Sequence, residues 1–167
     1  RSVDNIDNRS PFALLPIHAL VQAAAERHQR DNILFHFVSE AKSKELPEPI
    51  VMRSPEIIHG LGNLIQNASQ FALKNVQIST FWDAEYITIV IQDDGLGFPP
   101  GLLERLGEPY IASRSQSDGR MGLGIFIAQT LLERSGAGIK FGNLNDGGAN
   151  VEILWSRDKL EIQDKRA

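Results

Sequence analysis

The sequence predicts a two-layer α/β sandwich, an α+β fold in which a mixed, mostly antiparallel sheet is covered on one face by about three helices. Helical and strand-like segments alternate along the 167 residues, and two pairs of strand-like segments are joined by turns short enough for hairpins. Hairpins argue against a doubly wound parallel sheet, whose strands need long crossover connections. Hydrophobic residues make up 42% of the chain and charged residues 23%, which is typical of a globular domain.

The N-terminal part of the chain predicts one helix and two strands. Residues 1–10 are polar and irregular, which indicates a flexible lead or the end of a helical domain that this chain does not contain. A helical apolar pattern follows over residues 11–29. Residues 32–38 are rich in large apolar side chains and predict a strand. Residues 50–52 predict a short strand after a proline-containing loop.

The strongest helix signal covers residues 54–74. Ser54 is a suitable N-cap, and Pro55 suits the first helical position. Apolar residues recur at helical spacing and form one stripe, which predicts a helix that packs against the sheet. The stripe consists of Ile57, Leu61, Leu64, Ile65, Ala68 and Ala72.

A second face of this helix carries a column of polar side chains at steps of three and four residues. The column consists of His59, Asn63, Asn67 and Gln70. Stacked amides can hold polar ligand atoms and a hydrated cation, but the solvent-facing side of an ordinary amphipathic helix has the same appearance. Gly60 and Gly62 each cost a helix about 1 kcal/mol, so something other than helix propensity selects this segment.

The remaining elements are two hairpins separated by a loop and two helices. Strands are predicted at 76–82, 86–92, 138–142 and 149–155, a short helix at 99–106, and a glycine-opened helix at 121–135. The loop at 107–120 is long, polar and rich in glycine and serine, which is typical of a functional lid. The prediction is therefore one domain over residues 11–156, followed by a loose, charged C-terminal tail at 157–167.

Charge and cysteine content exclude several classes of function. The formal net charge is -4 and no basic block is present, so we do not expect the chain to bind nucleic acid. Without cysteine there is no disulfide, no catalytic thiolate and no zinc-thiolate site. No apolar run approaches the 18 residues of a membrane span, so this domain is not expected to contact a membrane directly.

Two glycine motifs follow the central helix. Asp93-x-Gly95-x-Gly97 ends a strand, where a carboxylate can accept from an exocyclic amine and glycines allow a flat ligand to approach. Taken alone, however, the motif favours a plain Asp-Gly turn without a ligand. Gly122-Leu123-Gly124 opens a helix and can cradle phosphate, although close helix packing also selects glycine. Neither motif is a dinucleotide-binding fingerprint, a P-loop or a protein-kinase signature.

In this order, the three segments resemble the motif set of the GHKL ATPase superfamily, which includes gyrase, Hsp90, histidine kinases and MutL. The matching segments are an N box at 63–68, a G1 box at 93–98 and a G2 box at 122–124. The chain looks most like the catalytic and ATP-binding domain of a sensor histidine kinase, and it is similar over about residues 11–156 to the redox-responsive RegB, PrrB and ActS group. This resemblance implies the Bergerat fold, with ATP and Mg²⁺ as cofactors.

The resemblance also implies roles for individual positions. Asn67 would give its amide oxygen to the Mg²⁺ that bridges the phosphates, and Asp93 would accept the adenine amino group. Gly95 and Gly97 would shape the adenine pocket. Gly122, Leu123 and Gly124 would enclose the phosphates beneath a lid at about 107–120.

Two positions differ between this chain and parts of the superfamily. Asn63 stands where the hydrolytic members have a glutamate, and an amide cannot act as a general base, so the resemblance implies phosphoryl transfer with slow hydrolysis. Gln70 stands where histidine kinases commonly have a lysine or arginine. The phosphate charge must then be met elsewhere, by Lys74, Arg114 or Arg120, each of which can equally be a solvated surface charge.

No histidine of the chain lies in the sequence context of a phosphoacceptor; the four are His18, His28, His36 and His59. The resemblance therefore implies an acceptor histidine on a dimerisation domain outside this chain, a response regulator as partner, and a cytoplasmic location in an inner-membrane sensor. Two alternatives stay open on the same fold. One is a serine kinase of the anti-sigma-factor type, and the other is a degenerate nucleotide-sensing or protein-binding module.

Overall fold

The computed structural model describes residue 10 and residues 12–43, 46–106 and 119–162, and it has the predicted two layers. The strands are β1 (Leu14–Pro16), β2 (Leu34–Ala41), β3 (Ile50–Met52), β4 (Asn75–Trp82), β5 (Tyr86–Asp93), β6 (Gly138–Asn143) and β7 (Ala149–Ser156). The helices are α1 (Ile17–Ala25), α2 (Pro55–Phe71), α3 (Pro100–Arg105), α4 (Gly119–Arg134) and α5 (Arg157–Leu160), with a 3-10 turn at Glu26–His28 after α1.

Five strands form the main sheet in the order β2-β4-β5-β7-β6. Strand β2 pairs with β4 in parallel, and the other three pairings are antiparallel. The mixed, mostly antiparallel sheet predicted from the hairpins is therefore confirmed. Its parallel pair is possible because the chain crosses over through β3 and α2 before it returns as β4.

The alternation of strand β5 places a carboxylate at the edge of the core. Ile87, Ile89 and Ile91 point to the helical side and are almost completely buried, as are their partners on β7. Asp93 is the next residue in this row, and it is 5% exposed. Because side chains of a strand alternate between its two faces, the apolar row of β5 leads directly to a buried acidic group at the strand end.

Helix α2 lies between the other two long helices. Ser54 caps it as predicted, since its hydroxyl oxygen accepts from the N–H of Ile57 at 3.2 Å. A Cβ on Gly60 would lie 2.8 Å from Cγ of the buried Leu132 on α4. On the other side, a Cβ on Gly62 would lie 3.1 Å from Nε2 of His28. The two glycines are therefore explained by helix packing on both sides of α2.

Strands β1 and β3 form a separate antiparallel ribbon, in which Leu14 pairs with Met52. The predicted short strand at 50–52 is confirmed, and helix α1 starts directly after Pro16, at Ile17. Within the described residues, no helix is long and apolar enough to cross a membrane.

The expectation of a loose segment after Ser156 is wrong for residues 157–162. Arg157 starts helix α5, and its guanidinium donates to the carbonyl of Asp83 at 2.8 Å and binds the carboxylate of Glu161. Leu160 is 8% exposed, and the N–H of Ile162 donates to the carbonyl of Ile50 at 2.9 Å. This part of the tail is thus anchored to the end of the sheet and to strand β3.

Candidate functional site

The carboxylate of Asp93 has one bonded and one open oxygen. Its Oδ1 accepts from the N–H of Gly95 at 2.8 Å and from the N–H of Ala149 at 3.3 Å. Among the described residues, no donor reaches Oδ2. Burial raises the pKa of Asp93 above its usual value, and this effect outweighs the two backbone N–H groups, which lower the pKa. The site therefore presents a largely buried carboxylate, one oxygen of which has no hydrogen-bond donor among the described residues.

The neighbouring Asp94 has a structural role that the sequence did not indicate. Its carboxylate accepts from the N–H groups of Leu73 at 2.8 Å, Lys74 at 3.0 Å and Asn75 at 3.0 Å, and from the Asn75 amide at 3.0 Å. Although partial burial raises the pKa, these hydrogen bonds outweigh it and lower the pKa of Asp94 to about 2. Asp94 thereby fixes the G1 box to the chain that leaves α2.

The glycines of the G1 box are required by contacts within the protein. A Cβ on Gly95 would lie 2.1 Å from the carbonyl oxygen of Phe71, so only glycine allows the loop to approach the end of α2. Gly97 has a φ of +85°, and a Cβ there would lie 2.7 Å from Oδ1 of Asn143. Their predicted role in shaping an adenine pocket stays a prediction.

Asn143 was not identified from the sequence, although it holds the same loop from the other side. Its side chain accepts from the N–H of Phe98 at 2.7 Å and donates to the carbonyl of Phe98 at 3.0 Å. The two residues are far apart in the chain, so no local pattern indicates the contact. Gly148 is a further requirement of the site, since a Cβ there would lie 1.9 Å from the carbonyl oxygen of Asp93.

The two N-box asparagines lie half-buried on helix α2, and their amides form no hydrogen bond with any described residue. Asn67 is seven residues, or about two helical turns, after Gly60, so the two residues lie on nearly the same side of α2, the side that packs on α4. An ion pair between Glu56 and Arg134, at 3.1 Å, joins these two helices near the same side. Within the described residues there is no cluster of three or more histidines and carboxylates that could hold a metal. A metal here would depend on the Asn67 oxygen together with ligand atoms.

The G2-box glycines have open space where a side chain would be. A Cβ on Gly122 or Gly124 would meet no described atom within 4 Å, so close helix packing does not explain them. Leu123 between them is 46% exposed. Helix α4 begins at Gly119 and not at the glycines as predicted. The first four N–H groups of a helix have no acceptor within it, and in α4 the fourth of these belongs to Gly122. The N–H of Gly124 lies beyond these four.

Of the three candidate phosphate-binding cations, the structure describes the side chain of Lys74 alone. Lys74 is exposed, and its backbone N–H is bound by Asp94. Arg114 and most of the predicted lid at 107–120 lie outside the described residues, and so does the side chain of Arg120. Among the histidines, His18 pairs with an acidic side chain, since its Nδ1 lies 2.6 Å from a carboxylate oxygen of Glu48.

Comparison with protein families decides what this arrangement is. Residues 52–159 match the family model described as histidine kinase-, DNA gyrase B- and HSP90-like ATPase. The chain belongs to this ATPase family. The match runs from strand β3 to helix α5 and includes the N, G1 and G2 boxes, so membership implies that the domain uses a nucleotide.

Sensor histidine kinases are prominent among the relatives of this ATPase domain. It is 38% identical to the sensor histidine kinase RegB of Cereibacter sphaeroides over 88% of the chain and 36% of RegB. It is 25% identical to the sensor protein QseC of Escherichia coli over 92% of the chain and 34% of QseC. The chain thus spans about a third of the length of these curated relatives.

Solved structures confirm the fold of the ATPase domain. The full-length histidine kinase ShkA in complex with AMPPNP matches with a TM-score of 0.66 and 20% identity, over 95% of this chain and 33% of ShkA. The mycobacterial sensor histidine kinase MprB matches with a TM-score of 0.63 and 18% identity, over 86% of this chain and 97% of that structure. The predicted resemblance to histidine kinase catalytic domains is confirmed at the level of fold and family.

Proposed function

We propose that this ATPase domain binds ATP with Mg²⁺ and transfers the γ-phosphoryl group to a histidine on a dimerisation domain outside the chain. A response regulator is the expected final acceptor, and the proposed setting is the cytoplasmic side of an inner-membrane sensor. The similarity to RegB and QseC supports the kinase class, and that to RegB favours a redox-responsive sensor. Residues 11–156 are the proposed ATP-binding unit.

The observation that carries the proposal is the open oxygen of Asp93. Because the described residues supply no donor to it, this oxygen is available to accept a hydrogen bond from a ligand. The amino group of adenine is such a donor, whereas guanine presents a carbonyl oxygen at the corresponding position and would be repelled. Asp93 is consequently proposed to select adenine over guanine.

The phosphate end is proposed to lie between helices α2 and α4. The side-chain amide of Asn67 is free to give its oxygen to Mg²⁺, and Mg²⁺ usually takes few protein ligands and keeps several waters. Bound Mg²⁺ would neutralise phosphate charge as phosphoryl transfer proceeds. The open space at Gly122 and Gly124 lets the start of α4 approach phosphate oxygens, and Leu123 lies between them.

Asn63 is proposed to position groups without removing a proton. Its amide is neutral across the physiological pH range and cannot deprotonate water. The phosphoryl group is then transferred to an external nucleophile, and hydrolysis of ATP by the domain alone is slow. An Arg114 contact to phosphate is part of the proposal on the family resemblance alone, because this residue lies outside the described part of the chain.

The proposal is tested by incubation with γ-labelled ATP, with and without an added dimerisation and phosphoacceptor domain of a sensor histidine kinase. We expect acid-labile, base-stable label on the added domain, no label on this chain, and loss of transfer in Asp93→Asn. Acid-stable label on a serine would instead identify a serine kinase. Absence of transfer together with absence of ATP binding would indicate a degenerate module.

A further inference from the structure

A small polar cavity lies between helix α2 and the 3-10 turn after α1, and its wall does not include the N-box asparagines. It has a volume of about 100 Å³. Its wall is formed by Arg27, His28, Gln29, Arg30, Gln66 and Ser69. Since successive helical residues are about 100° apart, Ser69 is rotated by about 200° from Asn67. The cavity is therefore separate from the proposed nucleotide site.

Ser69 supplies the first indication that the cavity has a ligand. Its side chain is almost completely buried, with 2% of the residue exposed, and its hydroxyl has no hydrogen-bond partner among the described residues. A buried hydroxyl without a partner costs about 1–3 kcal/mol. A bound group that accepts from this hydroxyl would remove that cost.

The charges of the wall supply the second indication. Arg27 and Arg30 form no ion pair with another described residue, and no acidic side chain belongs to the wall. Burial lowers the pKa of His28, and the charge of Arg27 lowers it further. The wall therefore lacks a negative charge among its protein groups, and an anion there would offset the positive charge of the two arginines, of which Arg27 acts on His28.

We propose that this cavity binds a free tetrahedral oxyanion of the sulfate or inorganic phosphate class. Arg27 and Arg30 would supply the charge, while Gln66 and Ser69 would donate from helix α2. A cavity of about 100 Å³ has room for a five-atom ion. The bound ion connects the 3-10 turn to α2 and stabilises the folded chain by mass action.

The test uses sodium sulfate as the probe, with sodium chloride at matched ionic strength, and follows the ring protons of His28 by NMR. We expect saturable shifts and a raised His28 pKa with sulfate but not with chloride. The charged side chains that line the cavity with His28 are Arg27, which lowers the pKa of this ring, and Arg30, whereas α2 contributes the neutral Gln66 and Ser69. R27Q/R30Q should weaken sulfate binding at least about tenfold. K42Q/K140Q, which removes two charges from the sheet edges, should bind normally.

Ser69→Ala separates a ligand contact from a packing role. Without sulfate, the variant should be at least as stable as the native chain, because the hydroxyl it removes has no partner. With sulfate, it should bind several-fold more weakly. The proposal would be overturned if the His28 ring shifts did not saturate with sulfate or were equally large with chloride. It would also be overturned if K42Q/K140Q reduced these shifts as much as R27Q/R30Q.

Discussion

Adjacent carboxylates at the end of strand β5 have opposite environments. Asp93 is buried and has few donors, so its pKa is raised, whereas Asp94 accepts four hydrogen bonds from the chain after α2 and its pKa falls to about 2. Because the pKa of Asp93 is raised in the folded state, its contribution to the free energy of unfolding falls as the pH rises through that pKa. A lowered pKa means that Asp94 contributes stability above its unfolded pKa, which is lost as the pH falls.

Asp94→Ala tests this assignment through its pH dependence. We expect a loss of about 1–2 kcal/mol in the free energy of unfolding at pH 7, discounted for the solvent exposure of the group. The difference from the native chain should shrink as the pH falls from about 4 towards 2, since native Asp94 becomes protonated there. Urea unfolding across this pH range measures it.

Glu133→Ala is the matched control for Asp94→Ala, because it removes one exposed negative charge from helix α4. It should change stability by less than about 0.5 kcal/mol at any of these pH values. If Asp94→Ala were as mild as this control at pH 7, the carboxylate would not hold the G1 box in place.

At the level of single residues, sequence reasoning proposed site residues that belong to a motif and missed residues whose role depends on distant contacts. Asp93 and Asn67 were identified from the order and spacing of the boxes. Asp94 was not, because its partners lie about 20 residues earlier in the chain. Asn143 was not, because it contacts a loop 45 residues away. No pattern within a short window records such pairs.

Two helical glycines, one in α2 and one in α4, have opposite surroundings. Gly60 of α2 faces a buried leucine, whereas Gly124 of α4 faces open space. Gly60→Ala should lower stability by about 1–3 kcal/mol despite better helix propensity, because the added methyl group needs space that Leu132 occupies. Thermal unfolding of the nucleotide-free chain measures this change.

Gly124→Ala is the counterpart of Gly60→Ala, with the opposite expected sign. It should raise the stability of the nucleotide-free domain by up to about 1 kcal/mol through helix propensity. It should also weaken ATP binding by about tenfold, because the methyl group enters the space proposed for phosphate. Unchanged ATP affinity in this variant would contradict the phosphate role of the G2 box.

Elements with long, regular patterns were predictable, whereas two of the shortest elements were missed. The apolar stripe of α2 and the two hairpins were recognised because their periodicity extends over many residues. Strand β1 has three residues and helix α5 has four, too few to show a period. The end of α2 was predicted a few residues late, since the chain turns at Ala72 and is then bound by Asp94.

For the whole molecule, the sequence predicted the layers but not the strand order. The hairpin of β6 and β7 can dock on the sheet through either strand, and nothing in its sequence decides that β7 pairs with β5. The position of β2 beside β4 likewise depends on the crossover through α2. Such pairings depend on the packing of the complete core, so local sequence patterns do not predict them.

The central claim is that Asp93 and the N box form one site for ATP and Mg²⁺. Calorimetric titration with a non-hydrolysable ATP analogue, with and without Mg²⁺, tests it on the native chain, Asp93→Asn and Asn67→Ala. We predict Mg²⁺-dependent binding to the native chain, loss of about 10- to 100-fold in affinity in Asp93→Asn, and loss of the Mg²⁺ dependence in Asn67→Ala. Both variants should remain folded, because the raised pKa of Asp93 means that its charge does not favour the folded state, and Asn67 forms no hydrogen bond with a described residue. Equal binding by the native chain and Asp93→Asn would contradict the account.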